Sequence, residues 1–171
     1  MANAQLDYVL QAFTIYIDGY GKAGSGEKCK LPPLKKKTED FRGGGMLAAR
    51  KVALGYEAPE LELEFSSFDP QILAQSQLFT RMGVPLSIRS YLNGDQDREY
   101  TVIIQARGEC MEIDAGTWEP GKKALLKAKF ALDAYKLVIA DKIIFDMDIQ
   151  AGKYDGVNGD VGAKIRGALG F

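Results

Sequence analysis

Between Glu57 and Phe68 the chain alternates apolar and acidic residues, so that Leu61, Leu63 and Phe65 fall on one side of an extended backbone and Glu60, Glu62 and Glu64 on the other. A helix would scatter these residues around its axis. A strand separates them cleanly, which predicts a half-buried β-strand with an acidic row on its wet face. The same period appears earlier, where Phe13, Ile15 and Ile17 alternate with Thr14, Tyr16 and Asp18.

Further strand-like runs cover 86 to 92, 99 to 113, 123 to 133 and 135 to 148. Asn93-Gly94-Asp95 reads as the turn of one hairpin, because Asn and Gly tolerate positive φ, and Ala140-Asp141-Lys142 as the turn of another. One helix interrupts the pattern. Asp69 followed by Pro70 is a helix start, with a capping carboxylate and a proline at the first helical position, and the expected helix runs over 70 to 81 with Ile72, Leu73 and Phe79 on a common side. Gly83 and Pro85 should end it.

Two stretches break the alternation. Residues 19 to 30, GYGKAGSGEKCK, hold four glycines among charges and read as a flexible loop. Leu31 to Phe41 should be extended after Pro32 and Pro33, and the glycines at 43 to 45 open a long loop near 42 to 56. The C-terminal DGVNGDVGAKIRGALGF is glycine-rich with one short helical turn around 160 to 167, and needs a dock to be ordered. Together these signals describe a single domain over 1 to 171, mainly β, an antiparallel sandwich or partial barrel with one α-helix.

The function classes excluded are as informative. With 46% apolar and 26% charged residues over 171 positions, the chain has an ordinary globular composition. Its net charge of −1 gives no general attraction to nucleic acid or anionic membrane. Histidine is absent, which removes the commonest general base and zinc ligand together. Cys29 and Cys110 are too few to make a tetrahedral metal site, and read as core or surface thiols; no cofactor is implied. MANAQLDYVL lacks a basic signal-peptide start and no apolar run reaches the ~20 residues that span a bilayer, so cytosolic synthesis without membrane insertion is expected.

Other motifs favour plain structural roles. Gly43, Gly44 and Gly45 are not followed by the Lys-Ser/Thr of a phosphate loop, and Lys35, Lys36 and Lys37 lack the interleaved aromatics of a base-stacking groove. Asp146 with Asp148, or Glu60 with Glu62, sit at strand spacing without a pocket, and Trp118 in TWEPG reads as a packing anchor at a turn.

KTEDFRGGGM at 37 to 46 and VALGYEAPELELEF at 52 to 65 resemble the signature region of major tail tube proteins of contractile-tailed bacteriophages, and are also similar to R-type bacteriocin tube proteins. The likeness continues in DAGTWEPGKK at 114 to 123, AYKLVIADKIIFDMD at 134 to 148 and YDGVNGD at 154 to 160. It departs at the N-terminus and at 19 to 30.

The resemblance implies a structural subunit, not an enzyme, that self-assembles into stacked hexameric rings around a channel for double-stranded DNA. It implies two long hairpins, here 31 to 65 and 86 to 107, that close a shared inter-subunit β-barrel. It implies partners beyond the chain itself: a sheath protein, a baseplate or tail spike hub, a tape measure protein and a tail terminator. The location implied is the virion tail, assembled in the host cytoplasm. A barrel of more strands than the sixteen to eighteen of a porin leaves an open channel. An acidic or mixed wall releases a polyanion, so Glu60, Glu62 and Glu64 are expected at the lumen, with Lys35 and Lys37 opposing them across the hairpin. Arg42, Gly43, Gly44, Gly45, Met46, Leu47 and Arg50 are expected in a loop that touches the next ring. The nearest alternative is a type VI secretion tube protein, and an alternative of another class is a monomeric β-barrel carrier of a small ligand.

Overall fold

The computed structural model describes residues 8–21, 24–79, 83–94, 98–157 and 159–170. Among them lie twelve strands: β1 (Tyr8–Ile17), β2 (Tyr20–Gly21), β3 (Gly26–Lys30), β4 (Lys36–Phe41), β5 (Arg50–Tyr56), β6 (Glu60–Phe65), β7 (Val84–Gly94), β8 (Arg98–Asp114), β9 (Leu126–Ile139), β10 (Lys142–Asp148), β11 (Lys153–Gly156) and β12 (Gly159–Asp160). Two helices accompany them, α1 (Pro70–Ser76) and α2 (Gly162–Leu169). The mainly β, antiparallel expectation holds. The single expected helix is corrected to two, because the short turn foreseen near 160 to 167 extends to a helix of eight residues.

The main sheet runs β12-β11-β10-β9-β8-β7-β1-β2, with β6 on the first half of β9 and β3 outside β6. β9 is one strand of fourteen residues, not the two runs expected on either side of Ala134, since that residue pairs with Arg107 on one side and Asp148 on the other. Its turn into β10 is as expected: Ala140 and Asp141 have φ of 47° and 61°, the paired positive values of a two-residue hairpin. Asn93-Gly94-Asp95 is placed in part only. Asn93 and Gly94 finish β7, and Asp95 lies outside the described residues.

The sheet curls until β3 lies over β1, where a Cβ on Gly26 would come within 2.9 Å of Ile15 Cδ1. The alternating apolar residues of both layers fill the space between: Ile15 and Ile17 from β1, Leu61, Leu63 and Phe65 from β6, Ile88, Ile104, and Phe130 and Leu132 from β9. Each fully buried side chain of this kind stabilises the fold by about 1.5–3 kcal/mol. The curl is not a closed barrel within one copy. Gly108 marks a kink in β8, at a register shift where a Cβ would meet the Ala131 carbonyl oxygen at 2.2 Å.

α1 starts as read. The Asp69 carboxylate accepts the Gln71 amide at 2.9 Å and Pro70 occupies the first turn. It ends early, at Gln77 in the left-handed region with φ 52°, and Phe79 is 99% exposed instead of sharing the buried side with Ile72. Ser76 takes that buried place, because its hydroxyl donates to the carbonyls of Ile72 and Leu73 and so needs no water.

The flexible loop expected over 19 to 30 is also corrected over its described part, residues 22 and 23 lying outside the described residues. Asp18 and Gly19 form a tight turn into β2, and Gly26–Lys30 is a paired strand on β6. The glycine-rich composition hid a strand whose partner lies far along the chain.

Candidate assembly surface

Two surfaces stand apart from the buried core. The first is the outward face of β3, β6, β9 and β8. Strand register places Lys28, Glu64, Lys127 and Asp114 side by side in one row and Lys30, Glu62, Lys129 and Glu112 in the next. The sign alternates across each row, so four lysines meet four carboxylates. Lys30 Nζ lies 2.8 Å from Glu62, Lys28 Nζ 3.5 Å from Glu64, and Lys129 Nζ 2.8 Å from Glu60. The Lys30 hydrogen bond holds the Glu62 carboxyl below its ordinary range, and the Glu60 hydrogen bond raises Lys129. Exposed pairs add little stability, but a register slip by one residue would turn the charges of one strand onto the apolar face of the next, so the alternation of charged and apolar residues specifies the pairing of β3, β6 and β9.

The glutamates therefore form the outward row expected of them, but not against Lys35 and Lys37. Lys37 pairs with Gly55 in a separate two-stranded sheet, and Lys35 lies in the link before β4, its carbonyl accepting the Glu57 amide at 2.9 Å. The opposing lysines come from β3 and β9. Lys28 and Lys30 sit in the stretch that reads as a loop, and Lys127 and Lys129 could have been found from the period-two spacing of β9 once its partner was known.

The second surface is the β4–β5 hairpin. It pairs with no other strand among the described residues, and nearly every residue in it is exposed. The expected long loop over 42 to 56 is thus shorter, 42 to 49, since Arg50 already pairs with Phe41. The loop has its own structure: Gly45 adopts φ 84°, the Met46 amide donates to the Gly43 carbonyl at 3.2 Å, and Arg42 Nε donates to the Met46 carbonyl at 3.0 Å. Leu47 stands at the tip, 98% exposed. Gly43, Gly44, Gly45, Met46, Leu47 and the two arginines are brought together, with the Leu47 side chain open and Met46 half-buried beside two positive charges.

The hairpin base is fixed to the body by a stacked pair, Tyr56 and Tyr154, with ring centroids 5.1 Å apart and planes 17° from parallel. Tyr154 also belongs to the C-terminal anchor. One Asp160 oxygen accepts the amides of Tyr154 and Gly162, while the other accepts Arg166, whose second nitrogen donates to the Gly152 carbonyl. The Arg166 hydrogen bond, foremost, holds Asp160 below the usual carboxylate range. A Cβ on Gly162 would strike the Gly152 carbonyl oxygen at 2.1 Å, so glycine is required for α2 to approach this closely. Helix α2 is docked on its own subunit, on β11.

The remaining candidates lie elsewhere. Asp146 pairs with Lys153 at 2.6 Å and Asp148 with Arg107 at 3.4 Å. Trp118 is 64% exposed, packed edge-on against Phe68 instead of anchoring the core. Cys29 and Cys110 are free thiols, and burial pushes Cys29 up to about 11. Among the described residues no helix is long and apolar enough to cross a membrane.

Comparison with known proteins bears on how such surfaces are used. A family model described as phage tail tube protein FII matches residues 7–170. The tail tube protein of Escherichia phage P2 is 27% identical over 143 residues, covering 81% of this chain and 83% of that protein. The major tail tube protein of Serratia phage KSP20 is 28% identical over 143 residues, covering 82% of each. Among solved structures, the sheath/tube terminator of an extracellular contractile injection system in its extended state aligns with a TM-score of 0.53 at 12% identity, covering 75% of this chain and 93% of that one. The sheath–tube complex of that system gives 0.52 at 11% identity, covering 75% and 87%. These last two share the fold.

Proposed function

The chain belongs to the phage tail tube protein FII family, and from that premise we propose how its surfaces build the tube. It is a structural subunit of a contractile phage tail, and its place is the virion tail. Copies join laterally into hexameric rings, and the rings stack into a cylinder whose channel passes double-stranded DNA. Assembly takes place in the host cytoplasm. The outer wall meets a sheath protein, and the ends meet a baseplate hub and a terminator, with a tape measure protein inside during assembly.

The observation that carries this reading is the β4–β5 hairpin, two strands whose outer edges pair with no other strand among the described residues. A lone two-stranded sheet is marginal in water, and three or more strands are needed for independent stability. Strands of a neighbouring copy supply what is missing and cover the open edges. The β7–β8 hairpin is the second contributor, with Tyr91 to Gly94 and Arg98 to Tyr100 lying outside the buried core.

The channel wall is the outward face carrying Glu60, Glu62 and Glu64, with Lys35 and Lys37 on the adjoining hairpin. Its carboxylates and lysines cancel row by row, and a wall without net positive charge does not hold a polyanion. The loop from Arg42 to Arg50 reaches the next ring, where the Leu47 side chain is covered.

Electron microscopy of the concentrated purified protein tests the assembly: rings or tubes are expected, and a protein that stays solitary would contradict it. For the channel wall, phage carrying E60K/E62K/E64K should eject DNA more slowly than the parent; unchanged ejection overturns the assignment.

A further inference from the structure

The backbone joins the β4–β5 hairpin to the body at two points. Residues 31 to 35 lead in from Lys30, the last residue of β3, and the chain leads out to Pro59, a fully buried residue whose carbonyl accepts the Leu132 amide at 2.9 Å. The bond from the Glu57 amide to the Lys35 carbonyl ties these two links to each other and not to the main sheet. Two points define an axis and leave rotation about it free. A third contact is needed to fix the direction in which the hairpin leaves the body.

The stack of Tyr56 on Tyr154 is that contact. Tyr56 ends β5, and Tyr154 is held in the body from two sides. Its ladder partner in β10 is the buried Met147, while its amide donates to the Asp160 carboxylate at 3.1 Å and its carbonyl accepts the Val161 amide at 3.0 Å. Arg166 holds the other Asp160 oxygen. Beside the stack the packing is open: a cleft of about 320 Å³ lies between Leu34 and Lys36 on the hairpin side and Phe145, Val157 and Val161 on the body. The ring pair therefore bridges a root that is loosely packed next to it.

The lever beyond this root is long. Tyr56 and Arg50 stand at the two ends of β5, roughly 20 Å apart at the rise of a strand, so a rotation of about 10° at the root carries the tip by roughly 3 Å. Hydrogen bonds between strands do not survive such a displacement.

We infer that Tyr154 is a positioning residue for assembly: its ring, held by the Asp160–Arg166 clamp, sets the direction in which β4–β5 is presented to a neighbouring copy. This deepens, and rests on, the reading of the chain as a self-assembling tube subunit. A hairpin already aimed loses less freedom when subunits join, so the C-terminal segment governs how readily they do so.

Spin labels at K51C and K142C, in a C29S/C110A background, report the distance from hairpin to body in the dispersed subunit. One narrow distance is expected with both tyrosines present, a broad distribution in Y56A, and a narrow one again in Y56F, which keeps the ring. Sedimentation of the unlabelled protein should show the critical concentration for tubes rising roughly three- to tenfold in Y56A, the range to which one aromatic pair converts. Y154A should raise it by the same factor, and Y56A/Y154A no further. A distance that stays narrow in Y56A, or a double variant in which the two effects multiply, would overturn the assignment. Tyr154 also packs against the core, so should Y154A fail to fold, Y154L takes its place, keeping apolar bulk without the ring. Failure of the unsubstituted protein to form tubes counts against the tube reading, whereas the distances are read on single subunits and test the positioning by itself.

Discussion

β6 and β5 are neighbours in sequence and both alternate apolar with other residues, yet one is among the most buried strands of the subunit and the other among the most exposed. Leu61, Leu63 and Phe65 are sealed between two layers, while Leu54 is open to solvent and Val52 only half-buried. The difference is one of partners. β6 is paired on both edges by β3 and β9, whereas among the described residues β5 pairs with β4 alone. The same period-two signal thus encodes an internal core in one strand and, in the assembly proposed above, a contact between copies in the next.

Substitutions should separate these roles, and their effect on the single folded subunit should fall steadily from the body to the hairpin. F130A is expected to cost most, about 3–5 kcal/mol, because it empties a site with no exposure in the centre of the core. Denaturant unfolding of the soluble protein checks it. Charge reversal in E62K comes next: it sets three lysines together, at 30, 62 and 129, and should lower the melting midpoint by an amount that shrinks as salt is added. A midpoint unmoved at low salt would mean that the charge pairs across these strands add nothing to stability.

The Asp160 anchor should show the acid side of the comparison. A carboxyl held below its ordinary value stabilises the fold above that ordinary value, and the contribution is lost as pH falls through the lowered one. Amide exchange in α2 should therefore speed up in acid before the core opens, and D160N should reproduce this at neutral pH. L54S is expected to have the smallest effect on the subunit, under about 0.5 kcal/mol, as for a surface site, while abolishing tubes. An unfolding midpoint shifted as far as that of F130A would place Leu54 in the core and break the contrast.

The sequence makes the body legible wherever a pattern is local. The alternation of β6, the Asp69-Pro70 helix start and the Ala140-Asp141 turn each depend on a few adjacent residues. β3 is hidden because Gly26 to Lys30 has no apolar face of its own, and its place is set by Glu62, Leu63 and Glu64 more than thirty positions away. α1 runs shorter than its pattern because Gln77 takes the left-handed conformation, which no residue type there announces. The candidate surface divides the same way. Glu60, Glu62 and Glu64 are visible as a row, but their counter-charges depend on a register that pairs β6 with strands before and after it. Lys35 and Lys37, being close in sequence, look like the natural partners and are not.

The two strands can be compared directly in one experiment: amide hydrogen exchange of β5 and β6, measured first on dispersed subunits and then on assembled tubes. β6 should be protected in both states, and β5 should exchange rapidly in the dispersed subunit and become protected in the tube. Equal exchange of β5 in the two states, whether fast or slow, would contradict the account.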